Sequence, residues 1–194
     1  MPLSEHKIML ENNIFSSPRK NMTKIVLVGD SGVGKSSILN RFVNSRFNTD
    51  YTMTIGFNVV AKNFNIDKND SELLVFLDIA GEQRFAEVRK PCYIGVEIVI
   101  AICDVTSKKS LTSIEKTWLP EFIKATASEK HLSPKVLLIA NKCDLTDQKV
   151  LSQEDLEEAA FKMTVKFPQV TILKPALMLS AKENLNITEI FGIS

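Results

Sequence analysis

The stretch KIVLVGDSGVGKSSILNRFVN, residues 24–44, constrains the fold more than any other part of the chain. An apolar run of four residues, three of them β-branched, leads into a glycine-rich loop. After it, Ile38, Leu39, Phe42 and Val43 recur at helical spacing. Strand, tight loop and helix in that order predict an α/β unit whose loop lies at the carboxyl end of a strand. Gly29 to Ser36 matches G-x-x-x-x-G-K-[ST] in that setting. Glycines let successive N–H groups turn inward as an anion nest, and the helix N-terminus adds its positive end. Ser31, Gly32, Val33 and Gly34, followed by Lys35, Ser36 and Ser37, are therefore the candidate phosphate site. Lys35 reaches the outer phosphates, and the Ser36 hydroxyl is a hard oxygen ligand for Mg²⁺.

The rest of the chain continues the alternation. GFNVVAKNFNI and SELLVFLDI flank the turn-prone DKND and predict an antiparallel pair. EIVIAICDV and KVLLIANKCDL are unbroken apolar runs, as expected of strands buried on both faces of a parallel sheet. Between them Leu111, Ile114, Trp118, Leu119, Phe122 and Ile123 share a helical face, with a kink expected at Pro120. Ser152 to Asp155, SQED, reads as a capping box. A last strand near VTILKPALMLSA is interrupted by Pro175, and a final helix is expected from Asn186. Length and the absence of a linker predict one domain, residues 23–194, behind a flexible extension, residues 1–22.

Composition narrows the function classes. The 24 basic and 23 acidic side chains give a net charge of +1, so no global field draws the chain to nucleic acid or an anionic membrane. No apolar run approaches the roughly 18 residues of a membrane helix. Cys92, Cys103 and Cys143 lack metal-ligand spacing and read as small buried hydrophobes in a reducing cytoplasm. The first residues show neither a secretory core nor a myristoylation glycine. The last residues, FGIS, carry no thiol for prenylation, so no lipid anchor is expected on this chain.

A second motif bears on the base. Asn141 to Asp144, NKCD, closes a buried strand, and the Asp144 carboxylate can accept the two donors, N1–H and the exocyclic amine, that guanine presents and adenine does not. Leaving such an acceptor unpaired is costly, which is why hydrogen-bonding sites discriminate strongly.

In order along the chain, GDSGVGKSS, TIGF, DIAG, RF, NKCD and SAK resemble the Ras-like small GTPases, nearest their Rab-like branch, over about residues 24 to 191. The resemblance implies an α/β P-loop NTPase domain of the small G-protein type: a six-stranded, mostly parallel sheet with one antiparallel strand and helices on both faces. It implies GTP and GDP as ligands, Mg²⁺ as cofactor, and effector, exchange-factor and GTPase-activating proteins as partners. By resemblance, Thr54 binds Mg²⁺ and senses the γ-phosphate, Phe47 covers the guanine, Asp78 holds Mg²⁺ through water, and the Gly81 N–H meets the γ-phosphate. Asn141, Lys142 and Asp144 face the base together with Ser180, Ala181 and Lys182, where the alanine N–H meets the base oxygen.

The chain departs from that family at residues 78 to 85, DIAGEQRF. The family reads DTAGQE, so Glu82 stands where a glutamine orients the attacking water, and Gln83 follows. A glutamate accepts a hydrogen bond from that water but cannot donate to a phosphoryl oxygen as an amide does. Leu77 replaces an aromatic, and AEVRKPCYIGV keeps only Tyr93 and Gly95 of the usual second-switch surface. Two readings follow. One is a GTP-hydrolysing switch with Lys35, Thr54, Gly81 and Glu82 in catalysis. The other is a guanine-nucleotide-binding interaction module with little turnover. A small-molecule kinase would need an arginine-rich acceptor lid, which nothing here resembles, and would leave NKCD without a role.

Overall fold

A computed structural model describes residues 22–45, 47, 53–67, 70–129 and 133–191. Residues 1–21 of the N-terminal extension and residues 192–194 lie outside the described residues, and Met22, the last residue assigned to the extension, opens the first strand.

The sheet is built around β1 (Met22–Val28), which pairs in parallel with β3 (Asp70–Ile79) on one side and β4 (Ile98–Asp104) on the other. Beyond β3 lies β2 (Phe57–Asp67), joined to it antiparallel with Phe57 opposite Ile79. Beyond β4 lies β5 (Lys135–Asn141), in parallel register from Ile98 against Lys135 to Asp104 against Asn141. Strand order therefore reverses at β1, the place where doubly wound sheets open a crevice at their carboxyl ends. β4 is buried at every position and β5 at all but its first, which explains their unbroken apolar runs.

Side chains divide between two cores, one on each face. Ile25 and Leu27 of β1 point to one face, where Ile38, Leu39 and Phe42 of helix α1 (Lys35–Asn44) cover them. Val26 and Val28 point to the other, under Ile114, Trp118, Leu119 and Phe122 and under Leu156, Ala160 and Met163 of a later helix. This is the period-2 alternation of a strand converted into two layers of helix.

Three local readings of the sequence change in detail. The helix expected across Leu111 to Ile123 consists of α3 (Lys108–Ser113), a π-helical turn (Ile114–Trp118) and α4 (Leu119–Ala125). Pro120 falls in the first turn of α4, where its missing N–H costs little, and the irregularity sits just before it. The sixth strand position is divided into β6 (Thr171–Ile172) and β7 (Leu177–Met178), both parallel to β5. Around Pro175, which has no N–H to give, the gap is bridged by the helix α5 (Gln153–Lys166). The Ala176 N–H donates to Glu157 Oε1 at 3.0 Å, and Gln153 Nε2 donates to Ala176 O at 2.7 Å. The expected final helix does not start at Asn186, whose φ of 58° belongs to a left-handed turn; a 3₁₀ turn spans Thr188–Phe191 instead. The capping box at Ser152 is as read, with the Asp155 N–H donating to Ser152 Oγ at 3.1 Å and the Ser152 N–H to Asp155 Oδ2 at 2.8 Å.

Candidate nucleotide site

The two motifs converge. One cleft of about 470 Å³ is lined by Ser31, Gly32, Gly34, Lys35, Ser36 and Ser37, by Phe47 and Thr54, by Asp78 and Gly81, and by Asn141, Lys142, Asp144, Ala181 and Lys182. They come from the ends of β1, β3 and β5, from α1, from the segment between α1 and β2 that carries Phe47 and Thr54, and from the loop after β7, as a crevice at the strand carboxyl ends requires.

The phosphate end is packed tightly enough to dictate residue type. Gly34 has a φ of 100°, and a Cβ there would lie 2.2 Å from Asn141 Nδ2. At Gly81 a Cβ would lie 2.5 Å from Ser31 N and 2.6 Å from both Asp30 C and Lys35 Nζ, so the segment after β3 rests directly on the phosphate loop. Lys35 Nζ donates to Gly29 O and Asp30 O at 2.8 and 2.9 Å. Burial pushes its pKa down to about 8 against the opposing charges of Asp78 and Asp30.

Beside Lys35, hydroxyl and carboxylate oxygens gather. Ser36 Oγ donates to Asp78 Oδ2 at 2.5 Å and lies 3.0 Å from Thr54 Oγ1. Asp78 is 2 % exposed, its Oδ1 has no hydrogen-bond partner, and burial raises its pKa. A buried carboxylate with an unpartnered oxygen, next to two hydroxyls, is the donor set of a hard divalent cation, and these residues fit Mg²⁺.

At the base end Ser180 Oγ donates to Asp144 Oδ1 at 2.6 Å, fixing the carboxylate that the sequence nominates for guanine. Asn141 joins the two ends: its Nδ2 donates to Val33 O at 2.9 Å and its Oδ1 accepts the Ala181 N–H at 3.1 Å. That amide, expected to serve the base oxygen, donates to Asn141 here. Lys142, at a φ of 68°, pairs its ammonium with Asp104 Oδ2 at 2.7 Å. Burial acts to raise the Asp104 carboxyl, but bonds from Lys142 and Thr106 outweigh it and hold the pKa below the usual range. Phe47 lies half-buried with the Arg41 guanidinium 5.7 Å from its ring centroid.

Glu82 does not stand alone. Its Oε2 pairs with Arg84 Nε at 2.7 Å, while Gln83 turns elsewhere, its Oε1 accepting from Arg89 NH2 at 3.3 Å. Sequence reasoning quoted Arg84 in the RF motif without giving it a role, and passed over Arg89. It also passed over Arg41, which donates to Ala181 O at 2.9 Å and Lys182 O at 2.7 Å and so fastens the base loop to α1. Arg41 is 140 residues from Ala181, and no local pattern reveals such a pair.

The protein-family model for the Ras family matches residues 24–193. The chain is 33% identical over 170 residues to "Ras-related protein Rab-8B" of Homo sapiens, covering 87% of this chain and 74% of that protein. It is 35% identical over 172 residues to "GTP-binding protein ypt2" of Schizosaccharomyces pombe, covering 88% and 78%. To "Ypt/Rab-type GTPase YPT7" of Saccharomyces cerevisiae it is 31% identical over 178 residues, covering 91% and 81%.

Proposed function

The chain belongs to the Ras family as a Rab-like small GTPase, and from that premise we propose that it is a guanine-nucleotide-dependent switch that binds GTP and GDP with Mg²⁺ and hydrolyses GTP to GDP and phosphate. The observation that carries this reading is the convergence of the phosphate loop, the Ser36–Thr54–Asp78 oxygens and the Asn141–Asp144 pair on one cleft. Ser31 to Gly34 hold the phosphates through backbone amides, and Lys35 supplies a positive charge already desolvated by the fold. Ser36, Thr54 and Asp78 would hold Mg²⁺, which when bound neutralises charge on the outer phosphates. Asp144 accepts from guanine, Phe47 covers the base, and Ser180, Ala181 and Lys182 close that side with Asn141 and Lys142. Gly81 offers its N–H to the γ-phosphoryl oxygens, and Glu82 accepts a hydrogen bond from the attacking water. Effectors, exchange factors and GTPase-activating proteins are the expected partners, read through the segments around Thr54 and Gly81.

A second reading, a guanine-nucleotide-binding interaction module with little turnover, draws on the Glu82–Arg84 pair, which directs the carboxylate to a neighbouring cation. Single-turnover hydrolysis by purified, Mg²⁺-loaded protein separates the two. The switch reading expects phosphate release, and Glu82→Ala to alter the rate more than Gln83→Ala does, since Gln83 is held by Arg89. GTP left intact over hours gives the second reading.

A further inference from the structure

Arg89 is a guanidinium with no exposed surface, in a segment that the nucleotide site itself leaves unexplained. It belongs to the one-turn helix α2 (Ala86–Arg89) that follows Gly81 and Glu82. On one side its NH1 donates to Glu82 O at 2.6 Å and Ala80 O at 3.4 Å, and its NH2 to Gln83 Oε1 at 3.3 Å. On the other, Nε and NH2 donate to the two carboxylate oxygens of Glu121 in α4 at 2.6 and 2.7 Å. Tyr93 donates its hydroxyl to the same Glu121 at 2.8 Å. The guanidinium carbon lies 4.5 Å from the centroid of the Trp118 ring, and the indole N–H of Trp118 donates to Asp30 Oδ1 at 2.8 Å. Asp30 precedes Ser31, the residue against which Gly81 rests.

We propose that Arg89 is a positioning residue for the hydrolytic step: through Glu121 and Trp118 it locks the backbone carbonyls flanking Gly81 to the phosphate loop, and so sets where Gly81 and Glu82 meet the γ-phosphoryl group. The contacts form a closed ring, from Gly81 to Glu82, Arg89, Trp118, Asp30 and back to Ser31. Only a planar fork with several fixed donors can hold two carbonyls, an amide and a bidentate carboxylate together, and a lysine ammonium cannot. The ring also assigns Gln83 to the tether rather than to water. Its carbonyl oxygen is given to Arg89, whereas among the described residues the Glu82 carboxylate is held only by Arg84. The inference rests on the hydrolysis reading above for its consequence, but not for its structural part.

Two readouts on the full chain test it. Amide hydrogen exchange at residues 80–85, with and without guanine nucleotide, reads the lock itself. Single-turnover GTP hydrolysis set against GDP affinity reads its effect on the chemistry. In Arg89→Met the exchange is expected to quicken about tenfold or more as the segment opens locally. Hydrolysis at saturating nucleotide is expected to fall about tenfold while GDP affinity stays within about threefold, the signature of an interaction made at the transition state. A role in general stability would lower affinity and rate together. Trp118→Phe keeps a ring beneath the guanidinium while removing the N–H to Asp30 along with part of the buried indole, and Glu121→Gln keeps shape while removing charge. Both should shift the two readouts in the same directions by less. They decide the matter if Arg89→Met does not fold. Exchange at 80–85 indistinguishable from the parent, or affinity falling as far as rate, overturns the proposal. If the parent leaves GTP intact, the hydrolysis reading fails by itself and exchange at 80–85 still decides the lock.

Discussion

Gly81→Ala tests the steric logic of the site with one methyl group. The added Cβ would stand 2.5 Å from Ser31 N and 2.6 Å from Asp30 C, and ordinary contact begins at 3.4 Å, so about 0.9 Å must be found. The phosphate loop cannot yield it. Gly29 is backed by Ile102 O and Gly34 by the Asn141 amide, each 2.2 Å from where a Cβ would be. The segment carrying residues 80–82 must therefore retreat. A displacement of about 1 Å at reacting groups costs roughly 100-fold in rate, equivalent to about 2.7 kcal/mol of transition-state stabilisation. GDP, whose phosphates are held by the loop rather than by Gly81, should keep its affinity to within about threefold, or about 0.7 kcal/mol. Single-turnover hydrolysis of preloaded GTP and displacement of a fluorescent GDP analogue supply the two numbers. A variant that hydrolyses GTP within threefold of the parent would show that Gly81 does not govern the approach of the two segments.

Three more outcomes are open to measurement. Asp144→Asn replaces an acceptor with a donor facing guanine and should weaken GTP by roughly 3 kcal/mol, about 150-fold, in competition binding, with little change for ATP; equal discrimination in parent and variant would refute the base assignment. Ser36→Ala removes one hydroxyl of the oxygen cluster and the bond to Asp78 Oδ2, so GDP release in Mg²⁺ should approach the rate that chelation produces in the parent; an unchanged response to chelator would refute the metal role. Lys35, held at about 8 by burial against 10.5 when unfolded, binds fewer protons folded than unfolded between those values. The nucleotide-free parent should therefore gain stability relative to Lys35→Met as pH rises through that window, by about 3 kcal/mol at most. Parallel denaturation midpoints at both ends of the window would count against a buried charge.

What could be read from the sequence follows from how local each signal is. The glycine loop, the capping box and the unbroken apolar strands are determined within a few residues, and each stands where its pattern places it. The division of the last strand was foreshadowed by Pro175, but its repair by Gln153 and Glu157 was not, because those side chains lie about twenty residues away on another element. The same reason hid Arg41 and Arg89. Their partners Ala181, Lys182, Glu121 and Trp118 become neighbours only once the helices are packed on the sheet. Glu82 was legible as a departure from the family pattern, whereas its pairing with Arg84 depends on a side-chain conformation that residue types do not specify.

The broken sixth strand has a consequence for how such a protein can change. A continuous strand ties every residue to its neighbour through backbone bonds, which substitution cannot alter one at a time. Here the stretch leading to Ser180, Ala181 and Lys182 is carried partly on two side chains of α5, each replaceable alone. The phosphate loop sits across the sheet, with its own glycines wedged against the strands. Asn141 and Arg41 bind the 180–182 loop to the phosphate loop and to α1, so a substitution at Gln153 or Glu157 loosens one support of the 180–182 loop while these ties stay in place.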